Sequence, residues 1–490
     1  MTNPEFDLLI KNVRVVRPNG NTTFDADIAV SGERIARVAP GIAPTRAKSV
    51  YDGRGRLAFP GVVDAHMHSG IYSPLAEDAV TESKAAAIGG VTSSLNYFRT
   101  GQYYLNKGGP YRRFFPEVLK ISKNRFHVDY GYHLAPIARE HVDEIPMLVE
   151  RHGVASFKIF MFYGSHGLHG RSDSQRDFLM IGEDERYDLA HFEFIMRSIQ
   201  AARERMPDKA RQISLSLHCE TPEIMTAYTR LVENDKKLKG LAAYSASRPP
   251  HSEGLAVFIA SYLAHETALP NINLLHLSSR KAVQAALMMA DVFPHIDFRR
   301  EVTIGHLMLD VTSKAAELAK VNPPIRPRED VEYLWDALLA GELDWVVSDH
   351  ACCRHETKIP KHYFGNIWMA KSGFGGTEYL LPALVSEGTR RGMDYNHMAR
   401  ATSWNPAQRF GLNRKGDLAE GYDADIAIVD PARTWTIAAK DSPSTQGYTP
   451  FEGLELSAHV DATFLRGTKI QENGEVLGKP RGQYLFRPTA

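Results

Sequence analysis

Six side chains able to hold a metal ion recur in one kind of place: His66, His68, Lys158, His218, His276 and Asp349. His66-x-His68 closes the apolar run FPGVVDAHMH. Residues i and i+2 of a strand point to the same side, so both imidazoles can reach one ion. The pair alone is weak, because 20 histidines in 490 residues yield about one such spacing by chance. Its setting is what strengthens it. Lys158 lies inside VASFKIFMFY, His218 ends ISLSLHCE, His276 ends INLLHLSS and Asp349 ends LDWVVSDHA. Any one of these is most often a satisfied buried polar group. Together they are hard to explain as structure alone, and a lysine inside so apolar a strand needs a partner. Nitrogen and oxygen donors without thiolate suit Zn²⁺, Mn²⁺, Co²⁺ or Fe²⁺ at a catalytic site. Cys219 follows His218 and on a strand points the other way. His166 and His169, in GSHGLHGRSDSQRDFLMIGEDERYD, invite a metal reading, but a solvated loop accounts for them more simply.

These residues need elements that bring strand ends together. Between 60 and 410, short β-rich runs alternate with amphipathic stretches such as EDAVTESKAAAIGG, AHFEFIMRSIQAARER and SRKAVQAALMMADVF. This pattern predicts an α/β fold, a TIM-like (β/α)₈ barrel whose chemistry sits at the C-terminal ends of the strands. A doubly wound sheet competes, but no GxGxxG follows an early strand. Residues 1–59 and 411–490 read as strands and turns, and the two chain ends are expected to form one small β-sandwich. VASFKIFMFY reads as the third barrel strand, so the loops at 97–115 and 164–185 would overhang the metal mouth after the second and third strands. The first is rich in aromatic residues, and Tyr97, Phe98, Tyr103 and Tyr104 would either wall a bulky exocyclic group, with Phe98 as a substrate contact, or pack against a neighbouring subunit.

Composition narrows the rest. Formal net charge is zero, with 58 basic and 58 acidic side chains, which argues against nucleic acid or anionic membranes as partners. Three cysteines give no disulfide framework and fit a reducing cytoplasm. The start of the chain lacks a secretory signal, and no run is long enough for a membrane span.

The motifs PGVVDAHMH, AAAIGGVTS, DYGYHLAP, GVASFKIFMFY, LLHLSS, NPPIRP, VVSDHA, TSWNPAQRFGL and RKGDLAEGYDADIAIVDP resemble the amidohydrolase superfamily, within it the dihydropyrimidinase/hydantoinase branch. The match runs over nearly the whole chain. The resemblance implies two divalent ions, zinc first. His66, His68 and Asp349 would hold the more buried ion, and His218 and His276 the other. Lys158, carboxylated at its side-chain nitrogen, would bridge them. It further implies Tyr163 as donor to the developing oxyanion, Asp349 as proton carrier, and substrate contacts at Asn322 and Ser372. The reaction would be hydrolysis of a cyclic amide or ureide such as a dihydropyrimidine, a hydantoin or a cyclic imide. The assembly would be a homotetramer or dimer.

Some positions depart from the family. Asn322 stands where Ser is usual before the Pro-Pro pair, and Ser372 where Asn is usual. Both long loops argue for a substrate unlike dihydrouracil. Ser69-Gly70-Ile71 lacks the arginine of dihydroorotases, and SGIYSPLAED lacks the acidic-Pro-Gly-Arg segment of the family's allantoinases. Other readings are an amidase or deaminase on an open-chain or heteroaromatic substrate, and a non-catalytic scaffold. The scaffold loses ground because all six ligand positions are filled.

Overall fold

The fold is given by a computed structural model that describes residues 4–164, 166–167, 170–171, 174–235 and 237–489. Eight parallel strands follow one another around a barrel: Val62–Met67, Val91–Phe98, Asp129–Leu134, Ser156–Phe160, Ser214–His218, Asn271–Leu274, Asp297–Thr303 and Trp345–Val347. The ring is completed where Met67 bridges His350 and the His68 N–H donates to the His350 carbonyl at 2.7 Å. The expected barrel is therefore present, with one correction to its count. DYGYHL is the third strand and VASFKIFMFY the fourth. The third strand's interior positions, Asp129, Gly131 and His133, include no apolar side chain, so its hydropathy hides it. The 164–185 loop thus follows the fourth strand. Within it, His166–Gly167 pairs with Gly170–Arg171, while His169 lies outside the described residues.

Outer faces of the strands pack on helices. Leu189–Arg205 begins at Asp188, whose carboxylate accepts from the Ala190 and His191 N–H groups. It buries Phe192, Ile195, Met196, Ile199 and Ala202 at helical spacing. Arg280–Val292 starts likewise at Ser279, which accepts from Ala282. Inside the barrel, Val63, Ala65, Leu95, Trp345 and Val347 meet Phe410, Leu412 and Leu485 in an apolar plug.

The two chain ends share one sheet. Phe6–Val15 and Leu57–Pro60 from the start pair through Ile426–Asp430 with His459–Leu465 and Thr468–Glu472 from the end. Ala58 lies opposite Ile428, and alternate residues such as Ile10, Val13, Ile28, Ile426 and Phe464 fill the sheet's core. The tail then leaves this sheet. Leu485 N–H donates to Tyr130 O at 2.8 Å, and Arg487, wholly buried, reaches Ser156 Oγ at 2.8 Å at the barrel's inner edge.

Barrel and sheet are joined by charge as well as by apolar packing. Lys415 is buried with its ammonium 2.9 Å from Asp129 on the third strand, 2.6 Å from Asp425 and 3.3 Å from Asp423. Breaking a buried ion pair by removing one partner leaves uncompensated charge and costs about 3–5 kcal/mol. Lys415→Met should lower the unfolding free energy by an amount of that order, measured by urea denaturation. Lys415→Met combined with Asp425→Asn should recover part of it. A single-variant loss below about 1 kcal/mol would show that the joint does not depend on this lysine.

Candidate metal centre

Strand parity explains how the six side chains meet. Val62 faces the helices, while Val63 and Ala65 face the apolar plug. His66 would then point outward. The register of the first strand against the second shifts between Asp64 and Met67. A β-bulge of this kind changes side-chain parity and is common beside active sites. It turns His66 inward, onto Tyr97 at 4.4 Å between ring centroids and onto Glu301. On the fourth and fifth strands, Phe157, Ile159, Leu215 and Leu217 pack outward with the helices. Lys158 and His218 take the alternate, inner positions. Asp349 and His276 lie just past their strands with φ of 53° and 33°. Such left-handed backbone is costly for non-glycine residues and concentrates at functional sites.

The donor atoms converge. His66 Nε2 is 3.3 Å from His68 Nε2, 3.1 Å from Lys158 Nζ and 3.2 Å from an Asp349 oxygen. The rings of His218 and His276 are 4.3 Å apart, and those of His66 and His276 5.3 Å. All six are buried, and His68, Lys158, His218, His276 and Asp349 line one cavity together with Tyr163, Asn322 and Ser372.

Their orientation is set from behind. His66 Nδ1 donates to Glu301 at 2.7 Å, so its Nε2 lone pair faces the centre. Glu301 also accepts from the His276 N–H and from Trp345 Nε1. Burial pushes its pKa up to about 8, yet both oxygens accept N–H groups, which fits the carboxylate. His218 Nε2 bonds Glu220 at 2.6 Å, and Arg248 holds Glu220 in turn at 2.8 Å.

The electrostatics favour ligands over cations. Burial depresses His66 and His276 far below their ordinary values and brings His218 down to about 4, leaving unprotonated imidazoles at neutral pH. Burial likewise pulls Lys158 down to about 7. Asp349 behaves oppositely. Burial would raise it, but His66, His68 and Lys158 hold it well below the usual carboxylate range. His276 Nδ1 is buried without a hydrogen-bond partner. Neutral imidazoles, an ionised carboxylate and an unsatisfied ring nitrogen fit a divalent metal ion. Among these donors, His66, His68 and Asp349 each place one ligand atom within 4.8 Å of the others.

A model of the amidohydrolase family matches residues 254–470. Over 485 residues, 98% of this chain and 97% of the relative, the chain is 31% identical to an allantoinase of Rubrobacter xylanophilus. An allantoinase of Deinococcus radiodurans is 30% identical, with 99% of each covered. The chain belongs to the amidohydrolase superfamily, in its cyclic amidohydrolase branch. Solved structures agree. A dihydropyrimidinase from Brevibacillus agri superposes with a TM-score of 0.82 at 25% identity over 98% of both chains. An L-hydantoinase from Arthrobacter aurescens gives 0.83 at 26%, covering 98% of this chain and 99% of its own.

Within this amidohydrolase, one expected contact is displaced. Phe98 does not face the cavity. It sits one residue past the inward Tyr97 and packs outward against Tyr104, Phe114 and Tyr132, fully buried. Strand alternation puts only one of two adjacent aromatic residues inside. Tyr97 lies under Lys158, whose Nζ is 4.0 Å from its ring centre. Asn322 and Ser372 do line the cavity. Asn322 Oδ1 accepts from Tyr244 at 2.5 Å, and the Ser372 carbonyl accepts from Tyr72 at 2.5 Å.

Three supporting groups went unnoticed in the sequence: Glu301, Glu220 with Arg248, and Tyr104 as a partner of His68. Glu301 sits in REVTIGHLML, where a charged residue inside an apolar run was a usable signal. Tyr104 carries none. Its hydroxyl lies 2.6 Å from His68 Nδ1, brought there by four successive non-glycine residues with positive φ, Tyr103 to Asn106. Groups that orient a ligating histidine typically contribute 10–100-fold in metal affinity or activity. Tyr104→Phe keeps the ring and removes the hydroxyl. Its metal affinity, measured by chelator competition, should fall by about that range. Unchanged affinity would mean that His68 is oriented by its strand alone.

Proposed function

We propose that His66, His68, Lys158, His218, His276 and Asp349 hold two divalent ions, zinc first, and that the chain opens a substituted five-membered cyclic ureide. The observation carrying this reading is the convergence of these side chains beside one cavity, with unprotonated imidazoles around a buried amine that burial pulls down to about 7. As a cyclic amidohydrolase, the chain hydrolyses a cyclic amide or ureide C–N bond.

Lys158 is the position where a longer anionic ligand is needed. Its amine would add to carbon dioxide and lose a proton, giving a carbamate able to serve as that ligand. Two ions so held would lower the pKa of a bound water and polarise the scissile carbonyl. The remaining work falls to the protein. Tyr163 lines the cavity, its ring stacked on Phe160 at 4.6 Å and backed by Arg99 at 5.3 Å. Burial raises its pKa and Arg99 opposes the rise, so its hydroxyl stays protonated and able to donate to the oxygen that gains charge. Asp349, ionised beforehand, accepts the water's proton on a carboxylate oxygen and returns it to the leaving nitrogen. Asn322 and Ser372 hold the ring's amide edge.

Substrate choice follows from the wall beside His68. There Ile71 lines the cavity and Tyr72 is tied to Ser372, in place of the acidic-Pro-Gly-Arg segment. Full-length similarity to allantoinases favours a cyclic ureide, while this apolar wall favours a ring with an apolar substituent. A panel of allantoin, 5-substituted hydantoins, dihydrouracil and dihydroorotate should show the highest kcat/KM on a substituted ureide ring. A preference for dihydrouracil would reject the substrate assignment without touching the metal assignment.

Two variants test the roles. Lys158→Ala should lose most bound metal and most activity, with short carboxylic acids restoring part of it. Full activity in that variant would end the assignment. Tyr163→Phe should lower kcat by roughly 10²–10³ with metal content unchanged, as for removal of one oxyanion donor. A rise in KM alone would make Tyr163 a binding residue.

A further inference from the structure

We propose that the chain carries a further divalent metal site of zinc type, formed by Asp78, Glu82 and Cys352 and separate from the donors of the barrel mouth. Asp78 and Glu82 lie one turn apart on the helix Leu75–Ile88, and Cys352 follows Asp349 by three residues. All three are buried, and each places one donor atom within 4.8 Å of the others. Ser444 and Thr445 close the cluster. Ser444 Oγ donates to Glu82 at 2.6 Å, and Thr445 Oγ1 lies 3.4 Å from Cys352 Sγ.

The unsatisfied group is Asp78. Its Oδ2 accepts the Gly70 N–H at 2.7 Å, while its Oδ1 is buried without any partner. As a carboxylate it is a bare buried anion beside Glu82. As an acid its hydroxyl at Oδ1 finds no acceptor. Either state pays for an unmade interaction. Burial, then the charge of Glu82, raises its pKa to about 7, in keeping with a poorly compensated anion.

Among the described residues, no neighbour gives Asp78 Oδ1 a hydrogen bond. His350 Nε2 donates to Glu82 at 2.9 Å, and its Nδ1 accepts from the Gly376 and Thr377 N–H groups at 3.0 and 3.3 Å. Both ring nitrogens of His350 are thus taken up, and neither reaches Asp78 Oδ1. Of the other charged groups near the cluster, Glu77, Asp64 and Glu378 are acidic, and the cation Arg354 is taken up by Glu77.

A divalent ion resolves the arrangement. It takes the bare Asp78 oxygen, a lone pair of Glu82 and the sulfur of Cys352, with the hydroxyls of Ser444 and Thr445 free to turn their protons outward. Carboxylates with one sulfur suit zinc or cobalt rather than calcium or magnesium, which take oxygen alone. Cys352 is held as a neutral thiol by burial and by Glu82 and Asp78, so binding releases its proton to solvent. The ion would brace the turn after His68, through Gly70, against the turn after Asp349.

Cobalt separates this site from the barrel mouth, which offers no sulfur among its donors. The full chain, produced in cobalt-supplemented, zinc-depleted medium, should show a near-ultraviolet sulfur-to-cobalt charge-transfer band. The band should persist in Cys219→Ser and His66→Ala and vanish in Cys352→Ser. Metal content per chain should fall by one equivalent in Cys352→Ser and in Asp78→Asn. Absence of the band in the cobalt-loaded parent chain, or an unchanged band and metal content in Cys352→Ser, overturns the proposal.

Discussion

A lysine amine buried among imidazoles, with the Asp349 and Glu301 carboxylates too weak to offset its burial, is the constraint around which the barrel is built. Lys158 is almost fully buried, with aromatic rings of Tyr97 and Phe160 at 4.0 and 4.3 Å and His66 at 3.1 Å. A cation there lowers the pKa of every histidine around it, and burial lowers its own. The arrangement is unfavourable for a folded protein that holds nothing, and favourable for one whose donors must be bare. The same logic governs Glu301 and Glu220, which spend their oxygens on N–H groups behind the ligands and leave the front of each ring free.

The barrel interior is organised for this in layers. Its lower part is an apolar plug of Val63, Ala65, Trp345 and Phe410. Above it runs a polar belt in which Asn273 bonds Ser214 and Ser216, and His133 reaches the Ala65 carbonyl. The metal donors form the top. The bulge in the first strand marks the passage between layers, since it lets Ala65 join the plug while His66, its neighbour, joins the donors. Alternation on one strand could not place both inside.

The sheet formed by the chain ends does little chemistry but closes the architecture. Its central pairing, Leu57–Pro60 with Ile426–Asp430, joins segments about 370 residues apart, and Leu57–Pro60 leads directly into the first barrel strand. The final residues return to pair along the third strand, and Arg487 enters beneath it. The barrel is thus clamped from the same side by a sheet, a buried charge cluster at Lys415 and a tail.

What could be read from the residues alone was periodic or chemical. Alternating strands and helices specified the barrel, apolar alternation specified the terminal sheet, and polar residues at strand ends singled out six side chains that the fold brings together. These signals are local, since a strand's period and a side chain's donor atoms do not depend on distant contacts. The third strand escaped because its inward positions are Asp, Gly and His, which carry no hydropathy. Phe98 was misplaced because adjacent aromatic residues read alike until strand parity assigns one inside and one outside. Only the tertiary structure could bring Tyr104 to His68, Glu301 to His66 and Arg248 to Glu220. These pairs are set by loop path and barrel closure, and a hydrogen bond between residues 235 apart, as for His66 and Glu301, leaves no trace in the sequence near either one.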